Sequence, residues 1–331
     1  MVKKFLGLRF FVLVLLSVPV LFSTTGCSNR EKKAIGLYVD AVMLNETGKK
    51  DEAIEKLNMA VEKNPQFSVA YSMLGDVYWQ MADYENSSAA YKKATELNPW
   101  SFHDFHSLGR VYQLMQNFTE AAKAYVRASD LEPEHFEVHL DAARVFYQSQ
   151  DYDRAIEYGI MAREIDSNSG EVERILGDIY EVQKNHTEAI DAYKRALELE
   201  GNDPEIMNSL ALVYLRIGRY ETSRELFGSV INIDPYNSTA YQHLGYAYLK
   251  LGEMDNAENS YNKVIEINEN DSAGHKGLGV VYMITSQNMK NAGQDDEAEE
   301  FKTKALEHWS RSLDINPTQS KLLKLYKKYS Q

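Results

Sequence analysis

Cysteine is nearly absent from this sequence, proline is sparse, and the short motifs that gather chemistry at one point are missing. Cys27 is the single cysteine among 331 residues. An intramolecular disulfide framework is therefore excluded, and so are thiolate metal sites. There is no Gly-x-x-x-x-Gly-Lys phosphate loop, no Gly-x-Ser-x-Gly elbow and no His-Glu-x-x-His zinc motif. The nearest metal-like spacings, His103 with His106 and His135 with His139, lack a third ligand in sequence reach. No catalytic residue, metal or cofactor is expected. A clustered basic face is also missing. Formal net charge is −13, and losing Lys3, Lys4 and Arg9, the only charges of the first 26 residues, would take it to −16. A body that acidic repels phosphate backbones, so nucleic acid is not an expected partner.

What is present begins with an export-like start. Lys3, Lys4 and Arg9 surround and precede an apolar run from Phe10 to Phe22, broken only by Ser17 and Pro19. That length suits the hydrophobic core of a signal peptide and is short for a membrane span. Small residues follow, and Thr24-Thr25-Gly26-Cys27 resembles the lipobox of bacterial lipoproteins, with Thr24 where that family usually has Leu. The resemblance implies a signal peptide over 1–26, diacylation of the Cys27 thiol, cleavage before it and acylation of its new amino group. It also implies a lipidated tether over 27–33. Ser28, which is not Asp, implies an outer-membrane destination by the sorting rule of enteric-type bacteria, with the protein facing the periplasm.

The rest of the chain repeats every 34 residues. Ala41, Gly75, Gly109, Ala143, Gly177, Ala211, Gly245 and Gly279 share one register. Three residues after them stand Leu44, Tyr78, Tyr112, Phe146, Tyr180, Tyr214, Tyr248 and Tyr282. Twelve residues after them stand Ala53, Ser87, Ala121, Ala155, Ala189, Ser223 and Ala257, and Pro65, Pro99, Pro133 and Pro235 close the same frame. A period of this length marks a stack of small supersecondary units, none of which can bury its apolar face alone.

The pattern resembles the tetratricopeptide repeat. In one repeat it reads Tyr71, Leu74-Gly75, Tyr78, Ser87, Tyr91, Ala94, Pro99; in the next it reads Phe105, Leu108-Gly109, Tyr112, Ala121, Tyr125, Ala128, Pro133. The resemblance implies an all-α, right-handed superhelical solenoid of helix-turn-helix repeats. Eight repeats are expected over 34–319: 34–67, 68–101, 102–135, 136–169, 170–203, 204–237, 238–271 and a longer one over 272–319. Its 14 extra residues include the polar stretch Ser286 to Gln294, expected as a surface loop ahead of a lengthened second helix. A capping helix is expected over 320–331, where Leu322, Leu325, Tyr326 and Tyr329 recur at helical spacing.

In this family the first helix of each repeat lines a concave groove. The implied partner-binding residues are Trp79, His106, Arg110, Gln113, Arg144, Tyr147, Arg174, Asn208 and Tyr246. Aromatics, arginines and amides suit peptide recognition. Three inward-facing arginines suggest either a ladder pairing Asp76 with Arg110 and Arg144 with Asp178, or a partner carboxylate held between Arg110 and Arg144. The carboxylate clamp of cochaperones in this family is not reproduced, because Tyr38 and Val42 stand where Lys and Asn are needed. The reading is a non-enzymatic, bilayer-tethered scaffold of the cell envelope that docks proteins or extended peptides for assembly of a secretion, pilus or polysaccharide-export machine. The alternatives are an adaptor for peptidoglycan-modifying enzymes and a non-catalytic subunit of an enzyme complex.

Overall fold

A computed structural model describes residues 29–330. The signal-like segment and Cys27 lie outside the described residues. Among the described residues there are 17 α-helices and no strand. They fall into two compact units, divided between Asn98 and Pro99. The first holds two hairpins: α1 (Asn29–Glu46) with α2 (Lys50–Lys63), and α3 (Ser68–Gln80) with α4 (Tyr84–Leu97). The second holds six: α5 (Phe102–Leu114) with α6 (Phe118–Leu131), α7 (Phe136–Gln148) with α8 (Tyr152–Ile165), α9 (Gly170–Val182) with α10 (His186–Glu200), α11 (Pro204–Arg216) with α12 (Tyr220–Ile233), α13 (Ser238–Leu251) with α14 (Met254–Ile267), and α15 (Ser272–Asn291) with α16 (Asp295–Ile315). The final helix, α17 (Ser320–Tyr329), packs on α16 and buries Leu322. Within each unit every hairpin packs on the next, so the chain is an all-α solenoid of helix-turn-helix repeats.

The repeating residues explain the repeating geometry. At Gly75, Gly109, Gly177 and Gly245 an added Cβ would fall 2.6–2.9 Å from the ring of Tyr91, Tyr125, Tyr193 or Tyr261 on the partner helix. The missing side chain is what lets a buried tyrosine lie flat on the neighbouring backbone. Where the first helix carries Ala instead, the partner position changes: Leu57 faces Ala41, Gly159 faces Ala143 and Phe227 faces Ala211. Second helices end at Asn64, Asn98 and Glu132 in a non-helical conformation compatible with the proline that follows each, and Asp166 and Asn268 end theirs the same way without one.

The turn inside each hairpin uses one residue in the left-handed region. The slot is filled by Gly48, Ala82, Gln116, Gln150, Lys184, Gly218, Gly252 and Gly293 in successive repeats. Four of these have a Cβ, at φ between 57° and 63°. A side chain there costs on the order of 1 kcal/mol over glycine. Glycine at Ala82, Gln116, Gln150 and Lys184 together is expected to stabilise the protein by roughly 2–4 kcal/mol, read as a higher urea midpoint.

The expected loop of the last repeat is helical instead. α15 continues through Met283 to Asn291, and the turn is only Ala292 to Gln294, with Gly293 at φ 78°. The 14 extra residues are divided, seven lengthening each helix. Their polarity reflects exposure of the added turns, not a break in the helix. Residue Ser286 is buried, and its hydroxyl donates to the Ala298 carbonyl at 2.6 Å.

The same hairpin holds a histidine pair. His275 donates from Nε2 to the Glu269 carbonyl at 3.2 Å, which leaves its Nδ1 as acceptor for the Nδ1–H of His308 at 3.0 Å. Burial, then proximity to His275, lowers the pKa of His308; Glu307 and Glu258 oppose the shift. A histidine held neutral in the fold takes up a proton on unfolding below about pH 6.5. The stability of α15 and α16 is therefore expected to fall as pH drops from 7 to 5. Hydrogen exchange should show faster opening of these two helices at pH 5, and His308→Gln should flatten that dependence.

Candidate functional site

In the second unit the first helices of consecutive hairpins present one connected row of polar side chains. His106 on α5 bonds through Nε2 to Asp141 on α7 at 3.0 Å. Asp141 accepts from Arg144 Nη1 at 2.8 Å, and the other nitrogen of that guanidinium bonds Glu171 on α9. Glu171 lies 3.7 Å from Arg174, which lies 3.6 Å from Asp178. Asp178 accepts the hydroxyl of Tyr193 at 2.7 Å. One network thus crosses three hairpins without a break. The expected Arg144–Asp178 rung is replaced by shorter steps: Arg144 takes Asp141 and Glu171, and Asp178 takes Arg174 and Tyr193. Arg144 is reached from two sides by carboxylates one turn and one hairpin away, both closer than Asp178.

The tyrosines that fill the hairpin interior also reach this row. Tyr125 donates to Gln113 Oε1 at 2.9 Å, and Gln113 donates on to Gln148 at 3.4 Å. In the first unit Tyr91 donates to Asp76 at 2.5 Å. Burial pushes the pKa of Tyr125 and Tyr193 well above the usual phenol value, and the carboxylates Asp141 and Asp178 push each in the same direction. Burial also raises Asp178, against the Tyr193 hydroxyl bond and Arg174. For Arg144, burial disfavours the cation, but Glu171 and Asp141 outweigh it and raise the pKa.

A cleft of about 120 Å³ opens in the row, lined by Tyr147, Asp178, Glu181, Tyr193, Ser209, Leu212 and Arg216. Arg216 forms an ion pair with Glu181 across it. Asn208, beside Ser209, has a buried Oδ1 with no hydrogen-bond partner among the described residues. The structure therefore joins His106, Arg144 and Arg174 in one network and places Gln113 in a separate pair of bonds, with Tyr125 and with Gln148 on α7. Tyr147 lines the cleft and Asn208 adjoins it in sequence. Arg110 is exposed on α5. Tyr246 is exposed further along the chain, with the Lys250 ammonium 5.3 Å from its ring. Trp79 belongs to the first unit, where it meets Tyr84 edge-on at 5.7 Å. The sequence reading missed Glu181, which occupies the same periodic position as Trp79, Gln113 and Tyr147, and Glu171, which opens its helix at a position none of the chosen residues shares. It also missed Tyr193, whose signal was its spacing of 16 from Gly177.

Sequence profiles of the tetratricopeptide repeat match residues 68–99, 106–170, 177–218, 204–237 and 238–271. The chain belongs to the tetratricopeptide-repeat family. It is a helical-repeat protein of the kind that binds other proteins or peptides. Among solved structures it is similar to YrrB, described as a repeat protein with an unusual peptide-binding site, at 20% identity and TM-score 0.51, over 62% of this chain and 99% of that one. It is similar to Pseudomonas aeruginosa pilF at 18% identity and TM-score 0.50, over 62% and 94%. A tetratricopeptide repeat protein of Parabacteroides merdae aligns at 16% identity and TM-score 0.51, over 76% and 99%. At these identities the likeness is one of fold. No curated protein matches the sequence.

Proposed function

We propose that this protein is a membrane-anchored docking scaffold of the bacterial cell envelope, holding extended segments of partner proteins along the first helices of its hairpins. The observation that carries this reading is the network from His106 to Tyr193 beside the Tyr147 cleft. Its arginines are fixed by their own carboxylates, so a partner meets ordered side chains and less entropy is lost on binding. Tyr147 and Leu212 offer apolar contact, and Asn208 and Ser209 offer amide and hydroxyl groups for a peptide backbone. A peptide-binding site in YrrB, a protein of the same fold, supports this use of the scaffold. A partner carboxylate would have to displace Glu171 from Arg144, so uncharged polar and apolar partner segments suit this stretch better. The anchor is acylated Cys27 behind the apolar run from Phe10 to Phe22. Several acyl chains would hold the protein firmly on a bilayer, since one alone binds marginally. The outer membrane, facing the periplasm, is the proposed location, and assembly of a secretion, pilus or polysaccharide-export machine the proposed role.

Two variants test the two halves. Cys27→Ser is expected to abolish incorporation of labelled palmitate and leave the precursor uncut; a labelled, processed Cys27→Ser chain would end the anchor reading. Tyr147→Ala with Arg110→Glu is expected to lower recovery of partners from detergent-solubilised envelope at least roughly tenfold, with helicity unchanged. Undiminished recovery would move the docking site off this row.

A further inference from the structure

The first helix leaves bare one position that the later repeats bury, beside two apolar residues that are exposed in their own right. Met43 on α1 is 61% exposed, whereas Val77, Val145, Ile179 and Val213, each at the same position of a later repeat, are fully buried. Asp40 stands where Leu74, Leu176, Leu210 and Leu244 pack against the hairpin before them. Ile35 and Val39, at 46% and 48% exposure, fall on the same side of α1 as Met43, at spacings of four residues. Lys32 lies in line with them, and Asp40 sits at the edge, 3.8 Å from Lys56. α1 also begins five residues ahead of the repeat register. That additional turn contains Arg30, Lys32 and Lys33 against the single acid Glu31.

We infer that this face of α1 lies on the lipid bilayer, with Ile35, Val39 and Met43 entering the headgroup boundary and Arg30, Lys32 and Lys33 meeting anionic headgroups. The inference rests on the proposed anchor, because α1 opens two residues after Cys27 and so has a bilayer within reach. Terminal repeats of a solenoid need a polar outer side, and beyond Lys32 at its start this one has only Asp40, at its edge. An apolar stripe with cations at its membrane end is the pattern of a helix lying in the interface plane. The consequence is orientation: the lipid would hold the protein at the surface, and α1 would set the angle at which the hairpins leave it.

Val39→Trp in the full acylated chain tests this in phosphatidylethanolamine–phosphatidylglycerol vesicles with brominated acyl chains. Interfacial helices bury their apolar face about 5–10 Å deep, so the emission added by this tryptophan should fall by roughly half or more. Reversing Arg30, Lys32 and Lys33 to Glu should relieve the quenching. Unquenched emission from vesicle-bound protein would overturn the inference. So would emission protected by a dimer in light scattering, which would make a second copy the occupant. Palmitate labelling reads the anchor separately: quenching of an unlabelled chain would remove the acyl anchor while leaving the helix contact in place.

Discussion

Glu173→Ala is expected to destabilise the second unit by about 1.5–3 kcal/mol. The Glu173 side chain is 3% exposed and sits between Arg195, 3.0 Å away, and Arg163, 3.8 Å away. Removing it leaves two guanidinium groups, about a third to under a half exposed, without their shared counterion. The equivalent positions of other repeats are Leu37, Tyr71, Phe105, His139, Met207, Tyr241 and His275, while Arg163 corresponds to Val61, Thr95, Ser129, Leu197, Ile231 and Ile265. An ion pair with a buried carboxylate thus stands where the junctions of Val61 with Tyr71, Leu197 with Met207 and Ile231 with Tyr241 are apolar. Desolvation makes such pairs poor value next to packed hydrocarbon. Glu173→Tyr with Arg163→Ile should therefore restore stability and exceed the natural protein by about 1–4 kcal/mol. Urea unfolding followed by circular dichroism reads both results. A double variant no better than Glu173→Ala would show that the pair, not its volume, holds the junction.

Gly279→Val is expected to unseat the last hairpin. A Cβ at Gly279 would lie 2.2 Å from Trp309 Cδ1 and 2.9 Å from the Ala305 carbonyl oxygen. The indole can be displaced, but the carbonyl belongs to α16 and moves only with the helix. Overpacking of this kind costs typically 1–3 kcal/mol and occasionally more, and backbone involvement puts this site at the upper end. Emission from Trp309, which is 2% exposed, should shift to longer wavelength as it meets water. Gly279→Ala with Trp309→Leu reproduces the pairing of Ala41 with Leu57 and removes the indole contact but not the approach to the Ala305 carbonyl, so it should recover only part of the loss. Unchanged Trp309 emission in Gly279→Val would mean that the indole stays buried and the hairpin does not open.

The fold was legible because its determinants are local and repeated. The spacing of Gly75, Gly109 and Gly177 states where helices touch, and Asn64 before Pro65 states where one ends. The lengthened hairpin was misread because helix and loop are both polar when nothing packs on them, so Ser286 to Gln294 carried no apolar rhythm. The groove was legible by position only. That His106, Arg144 and Arg174 share a groove-lining row is what the family resemblance implied; that Arg144 turns to Glu171 and not Asp178 depends on side-chain reach between hairpins, which no spacing encodes.

The division of the 14 added residues has a consequence for how such chains change length. Seven residues make almost two whole helical turns, about 20° short, so the buried side of α15 still faces α16 beyond the addition. The antiparallel partner must gain the same number, or the turn at Gly293 could not close. Insertions within a hairpin are then tolerated only as matched heptads, one on the outgoing strand of chain and one on the return. An unmatched gain of two residues would rotate everything beyond it by about 200° and turn the apolar side to water. Lineages carrying this architecture should vary by whole 34-residue units or by paired sevens, with intermediate lengths confined to the junctions between hairpins.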